Sequence, residues 1–197
     1  MLRNFYLYRA YIFDLDDTLY KETDYLFSAY KQIAAYINQK YGIDAEEIFL
    51  YLQERFLECG RRNIFDKMDK HFGIEAGNIG EYLEILRSHQ PSGKIPLFYE
   101  MKKLLYWLIK MKKQIFVLTN GNVQQQKNKI KHIDWAGIND INFVFANEIE
   151  PKPSPKAVEL IMNENNISKR DIVLIGDSYV DRMCARNAEI DFVSVKI

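Results

Sequence analysis

The stretch YIFDLDDTLY, residues 11–20, decides how this chain is read. It opens as an apolar run with the look of a buried strand, then carries Asp14, Asp16 and Asp17 within four positions. Carboxylates so close repel one another, and burying one without a partner costs several kcal/mol. Either the cluster lies in water as turn and capping residues, or something cationic offsets it. The segments that follow discriminate between the two.

Outward from this stretch, the apolar runs QIFVLT (114–119), NFVFA (142–146), DIVLIG (171–176) and DFVSVKI (191–197) join YRAYIF (8–13) as expected strands. Helical patterns lie between them, at 96–113, 123–133, 154–165 and 178–188. The first places Leu97, Met101, Leu104, Leu105, Leu108 and Met111 on one side, and the second is a polar helix. The third opens with Ser154 as expected cap and Pro155 at its first position. Strands alternating with helices predict an α/β fold: a Rossmann-like parallel sheet of five strands with helices on both faces. Residues 20–92 interrupt the rhythm with helical patterns near 24–40, 44–59, 61–72 and 78–89, punctuated by glycines. The expected organisation is a core of residues 1–19 and 93–197 and an inserted all-helical cap of residues 20–92.

Composition narrows the function. Of 197 residues, 48% are hydrophobic and 27% charged, as in a globular protein rather than a disordered one. The 27 basic and 27 acidic residues cancel, so no global field draws the chain to nucleic acid or an anionic membrane. Two cysteines give no disulfide framework and point to a cytoplasmic setting. No run is long and apolar enough to span a bilayer, and Arg3, Arg9 and Asp14 break up the apolar N-terminal stretch, so no signal peptide is expected.

In open parallel sheets, ligands bind at the carboxyl ends of strands. The first strand ends at Asp14, the second at Thr119-Asn120-Gly121, the third leads to Lys152, and the fourth ends in GDSYVD with Asp177 and Asp181. Each piece alone is ordinary cap or loop chemistry; their order and strand-end placement agree together. The pattern resembles the haloacid dehalogenase superfamily of phosphotransferases. Asp14-Leu15-Asp16-Asp17-Thr18 matches its first motif, Thr119 its second, Lys152-Pro153-Ser154-Pro155 its third, and Gly176-Asp177-Ser178 with Asp181 its fourth. A helical cap inserted after the first motif is typical of relatives. One departure stands at Ala188-Glu189-Ile190, where relatives carry Ala-Gly to make a left-handed turn.

The resemblance implies a Mg²⁺-dependent phosphatase acting on a small phosphate monoester. Asp14 would be the nucleophile that forms an aspartyl-phosphate. Asp14, the backbone carbonyl of Asp16, and Asp177 would hold Mg²⁺, with Asp181 behind them orienting a water or Lys152. Lys152 would offset charge, while Thr119 and backbone N–H groups near Asn120 and Gly121 would hold phosphate oxygens. Four negative charges then face three positive ones, so Asp16 is expected to carry a proton and act as acid and later as base. An acid at Asp16 favours phosphatase or phosphomutase over dehalogenase, since halide leaves without a proton. Extended backbone puts Asp14 and Asp16 on one side; a twist after Asp14 aims Asp16 from above. Asp17 is expected to turn or cap the chain and Thr18 to bond locally. Tyr20 and Lys21 follow the loop closely enough to bear on the site. Phosphomutase is one alternative, and a catalytically silent binding or regulatory module is another.

Overall fold

The computed structural model describes residues 5–75 and 78–195. The first four residues of the expected core, residues 76–77 of the expected insert and the last two of the expected strand 191–197 lie outside it. In chain order the strands are β1 Ala10–Phe13, β2 Ile95–Pro96, β3 Gln114–Thr119, β4 Ile133–Asp134, β5 Asn142–Phe145, β6 Ile172–Gly176 and β7 Asp191–Ser194. The α-helices are α1 Glu22–Tyr41, α2 Ala45–Cys59, α3 Ile64–Phe72, α4 Ile79–Ser88, α5 Tyr99–Lys110, α6 Val123–His132, α7 Lys156–Glu164 and α8 Tyr179–Asn187.

Five strands form one parallel sheet in the order β5-β3-β1-β6-β7. The three central strands are the apolar runs, with β1 and β6 buried throughout. Continuous apolar character is what a strand covered on both faces requires. On one face Ala10, Ile12, Phe116, Leu118, Ile172 and Leu174 meet Val158 and Ile161 of α7 and Cys184 and Ala185 of α8. The alternate residues Tyr11, Phe13, Ile115, Val117, Val173 and Ile175 are equally buried and point the other way. There α5 packs along β3 and buries Met101, Leu105 and Leu108. Met111 departs from the expected stripe: it is the C-cap of α5 and is exposed, because the chain turns at Lys112, φ 53°. The two-residue pair β2–β4 has no sequence signal of its own.

The chain divides into two compact units, residues 5–22, 95–126 and 133–195 in one and 23–75, 78–94 and 127–132 in the other. The first holds the sheet. The second is helical, and it takes in the last half of α6 as well as α1–α4. Within it, Tyr25, Leu26, Ala29, Tyr30, Ile33 and Ile37 form the buried stripe of α1. The rings of Phe56 and Phe65 meet Tyr30 edge-on. Asp44 caps α2 by accepting the backbone N–H groups of Glu46 and Glu47. His89 is held between Gln32 and Ser28, at 2.7 and 2.9 Å, in a structural role.

Two helix ends differ in detail from the sequence expectation. The N-cap of α7 is Pro155, whose carbonyl accepts from Glu159 at 2.9 Å; Ser154 reaches only the first helical N–H. At the end of α8 the left-handed turn is kept without glycine. Glu189 adopts φ 57°, and the Ile190→Ala185 and Glu189→Arg186 backbone bonds close a Schellman motif.

Candidate active site

The candidate residues gather at the carboxyl ends of β1, β3 and β6, where the strand order reverses direction about the central β1. Asp14 is the first residue beyond β1, and its N–H still donates to Ile175 O at 2.9 Å. The chain then twists out of the sheet. Leu19 N–H bonds back to Leu15 O at 3.0 Å, Asp17 sits at φ 52°, and Asp16 bridges to Tyr20. Of the two courses open to the sequence, the structure takes the twist. Asp17 turns and caps the chain, accepting from Glu22 N–H at the start of α1. Thr18 does not bond locally. It is buried and donates from Oγ1 to Asp177 Oδ1 at 3.3 Å, 159 positions away, because the turn folds it back toward the tip of β6.

Lys152 is the hub. Its ammonium donates to Asp14 Oδ1 at 2.5 Å, to Asp181 Oδ1 at 2.6 Å and to Leu118 O at 3.0 Å. The lysine side chain is 3% exposed, Asp181 1% and Asp14 12%. Burial by itself would push the Lys152 ammonium toward neutrality; the carboxylates of Asp14 and Asp181 reverse this and raise it above the ordinary lysine value. The backbone of Lys152 is fixed as well. Asn120 Nδ2 donates to its carbonyl and its N–H donates to Asn120 Oδ1, both at 2.9 Å. Asn120 thus clamps the lysine through its side chain.

Asp181 belongs to the first turn of α8, where Ser178 is N-cap and the two close a capping box. Its Oδ2 accepts from Ser178 N–H and Oγ, and its Oδ1 accepts from Lys152. Gly176 makes room for it: a Cβ there would stand 2.6 Å from Asp181 Oδ2.

Asp14, Asp177 and Asp181 each offer a carboxylate oxygen, all within 4.8 Å of one another. Burial pushes the Asp14 carboxyl up, Lys152 draws it down, and Asp181 and Asp16 push it up again, for a net rise. Burial also raises Asp177, helped by Asp181 and Asp17. Asp14 and Asp181 share the one ammonium of Lys152 and Asp177 stands beside them, so the donor set fits a hard divalent cation held by oxygen. Asp181 is already committed to Lys152 and Ser178, which makes Asp14 and Asp177 the better pair to hold it.

Thr119, last residue of β3, is buried and its Oγ1 accepts from Gln126 Nε2 at 2.5 Å. The N–H of Gly121 donates to Asn147 Oδ1 at 2.7 Å, so Asn147 competes for the donor expected to meet a phosphate oxygen. Neither Gln126 nor Asn147 stood out in the sequence. Gln126 lies in the run VQQQKNKIKHI, where apolar periodicity says nothing about which polar side chain turns inward.

A family model for haloacid dehalogenase-like hydrolases matches residues 11–195. The chain belongs to this family. No curated protein matches it significantly in sequence. Among solved structures, it is similar to a provisionally named β-phosphoglucomutase from Thermotoga maritima at TM-score 0.68 and 18% identity, over 96% of this chain and 86% of that one. It is similar to a HAD phosphatase from Thermococcus onnurineus at TM-score 0.63 and 21% identity, over 95% and 86%. A HAD hydrolase from Bacillus subtilis, whose structure is bound to magnesium, aligns at TM-score 0.62 and 18% identity, over 95% and 88%. At such identities the likenesses show the shared fold. Among the described residues no helix is long and apolar enough to cross a membrane.

Proposed function

We propose that this haloacid dehalogenase-like hydrolase is a Mg²⁺-dependent phosphatase that cleaves a small phosphorylated metabolite through an aspartyl-phosphate. One observation carries the reading: Lys152, buried at the strand tips, joins Asp14 to Asp181 beside Asp177 and Thr119. Asp14, the backbone carbonyl of Asp16, and Asp177 would hold the Mg²⁺. Bound there, Mg²⁺ supplies positive charge that lets a carboxylate approach a phosphate dianion. Lys152 opposes the rise that burial imposes on the Asp14 carboxyl and meets charge on the transferred group.

In the first step an Asp14 oxygen bonds to phosphorus and the ester P–O bond breaks. The departing oxygen keeps the electron pair and takes the proton of Asp16. In the second, water attacks phosphorus and gives its proton to the Asp16 carboxylate, the Asp14–phosphorus bond breaks, and inorganic phosphate leaves. Thr119 Oγ1 and backbone N–H groups near Asn120 and Gly121 would hold the phosphoryl oxygens. The acid at Asp16 supports phosphoryl over dehalogenase chemistry. A cytoplasmic setting accords with two free cysteines, Cys59 and Cys184.

Purified protein is assayed for phosphate release from a panel of sugar, nucleotide and hydroxyacid phosphates, with Mg²⁺ and with chelator. Mg²⁺-dependent release from at least one ester is expected, and silence across the panel refutes the proposal. A phosphomutase is the second reading, favoured by the likeness in fold to the Thermotoga protein; bisphosphate intermediates in place of free phosphate would support it.

A further inference from the structure

Asp16 is gripped at both carboxyl oxygens. The Tyr20 hydroxyl donates to Oδ1 at 2.5 Å, and Gln126 Nε2 donates to Oδ2 at 3.2 Å. The same Nε2 lies 2.5 Å from Thr119 Oγ1. Tyr20 is 0% exposed and Gln126 2%, so both donors reach the half-buried Asp16 from the protein interior. Each gripping residue is itself anchored. Tyr20 pairs with Asp16 through a backbone bridge, and Gln126 N–H donates to Asn122 O at 3.0 Å in the first turn of α6.

We propose that Tyr20 and Gln126 are positioning residues that fix the carboxyl plane of Asp16 for proton transfer to the leaving oxygen, Gln126 also setting that plane against the Thr119 hydroxyl. The proposal rests on the phosphatase reading above. A carboxyl on a loop beyond its strand is free to turn about its last bond, and misplacing a reacting group by about 1 Å costs on the order of a hundredfold in rate. With one lone pair of each oxygen engaged, the Asp16 carboxyl cannot turn. The plane in which it carries its proton is fixed with it.

The test is kcat/KM, which reports the steps through transfer to Asp14, for esters graded from p-nitrophenyl phosphate through phenyl phosphate to alkyl phosphates. The proteins are wild type, Tyr20→Phe and Gln126→Met, each also in an Asp16→Asn background, with urea midpoints to verify folding. Each single variant is expected to slow alkyl esters about tenfold to a hundredfold, the cost of a misplaced proton donor, and p-nitrophenyl phosphate by less than about threefold. In the Asp16→Asn background the losses on phenyl phosphate should vanish. An equal loss across the series, additive losses in that background, or no loss at all overturns the proposal while the phosphatase reading stands. Wild-type protein inert toward every ester overturns both.

Discussion

A side chain at position 176 and the carboxylate of Asp181 cannot share the space they would occupy. A Cβ on Gly176 would stand 2.6 Å from Asp181 Oδ2 and 2.7 Å from its Cβ. Asp181 has no room to yield, since Lys152 and Ser178 hold both its oxygens. Gly176→Ala should therefore displace the first turn of α8, destabilise the protein by about 1–3 kcal/mol as overpacking does, and cut turnover at least about tenfold by loosening Lys152. Urea unfolding and steady-state kinetics on the same preparation check both effects.

Removing the lysine itself should cost more. Lys152→Met leaves the carboxylates of Asp14 and Asp181 buried without their shared ammonium. Breaking a buried pair from one side destabilises by about 3–5 kcal/mol. Urea midpoints should fall accordingly, and phosphate release should drop at least about a hundredfold.

Asn120→Ala tests the clamp on the Lys152 backbone. The variant loses two hydrogen bonds and leaves a partly buried peptide group to find other partners, a cost of about 1–3 kcal/mol. Phosphate release should slow by at least about tenfold through misplacement of the ammonium. A kinetic comparison showing unchanged kcat would remove the clamp from the account.

Much of this was legible in the chain itself. The strand QIFVLT falls at 114–119 as its apolar run demands, because a strand buried on both faces has only apolar residues to show. The strand-end residues Asp14, Thr119 and Asp177 stand at the tips their runs implied. What stayed hidden was the polar interior. Gln126, Asn128 and Lys129 are buried within a helix whose sequence reads as polar, and only the packing around them shows it. Thr18 was hidden for a related reason, since its partner Asp177 is brought near by the fold alone. The first turn of α7 shifted because Pro155 could serve as cap as readily as opening residue.

Glu189 gives a stability prediction. It occupies the left-handed position that closes α8 at φ 57°, where a Cβ costs roughly 1 kcal/mol that glycine escapes. Its exposed ion pair with Lys169 offsets little. Glu189→Gly should raise stability by about 0.5–1 kcal/mol, read as a higher urea midpoint with unchanged slope.

Asp69 gives a pH prediction. It is buried in α3, and burial raises its carboxyl above the usual range although the Tyr82 hydroxyl donates to Oδ1 at 3.0 Å. Its Oδ2 is buried with no hydrogen-bond partner. The folded state then binds this proton more tightly than the unfolded chain does. The stabilisation is full below the unfolded carboxylate range and is lost as pH rises through the higher folded value. Urea midpoints of wild type should gain on acidification from neutral pH toward the unfolded carboxylate value of about 4 relative to Asp69→Asn, which lacks the titrating proton.

The register of β1 has a consequence for synthesis. Residues 10–13 pair with 114–117 on one side and 172–175 on the other. A ribosome releases the first strand long before either neighbour exists, and the helical unit likewise waits for residues 127–132 of α6 to follow α1–α4. The nascent chain therefore carries its acidic loop unassembled until residues 172–175 have emerged, and a product truncated before residue 172 would display those carboxylates with no centre around them.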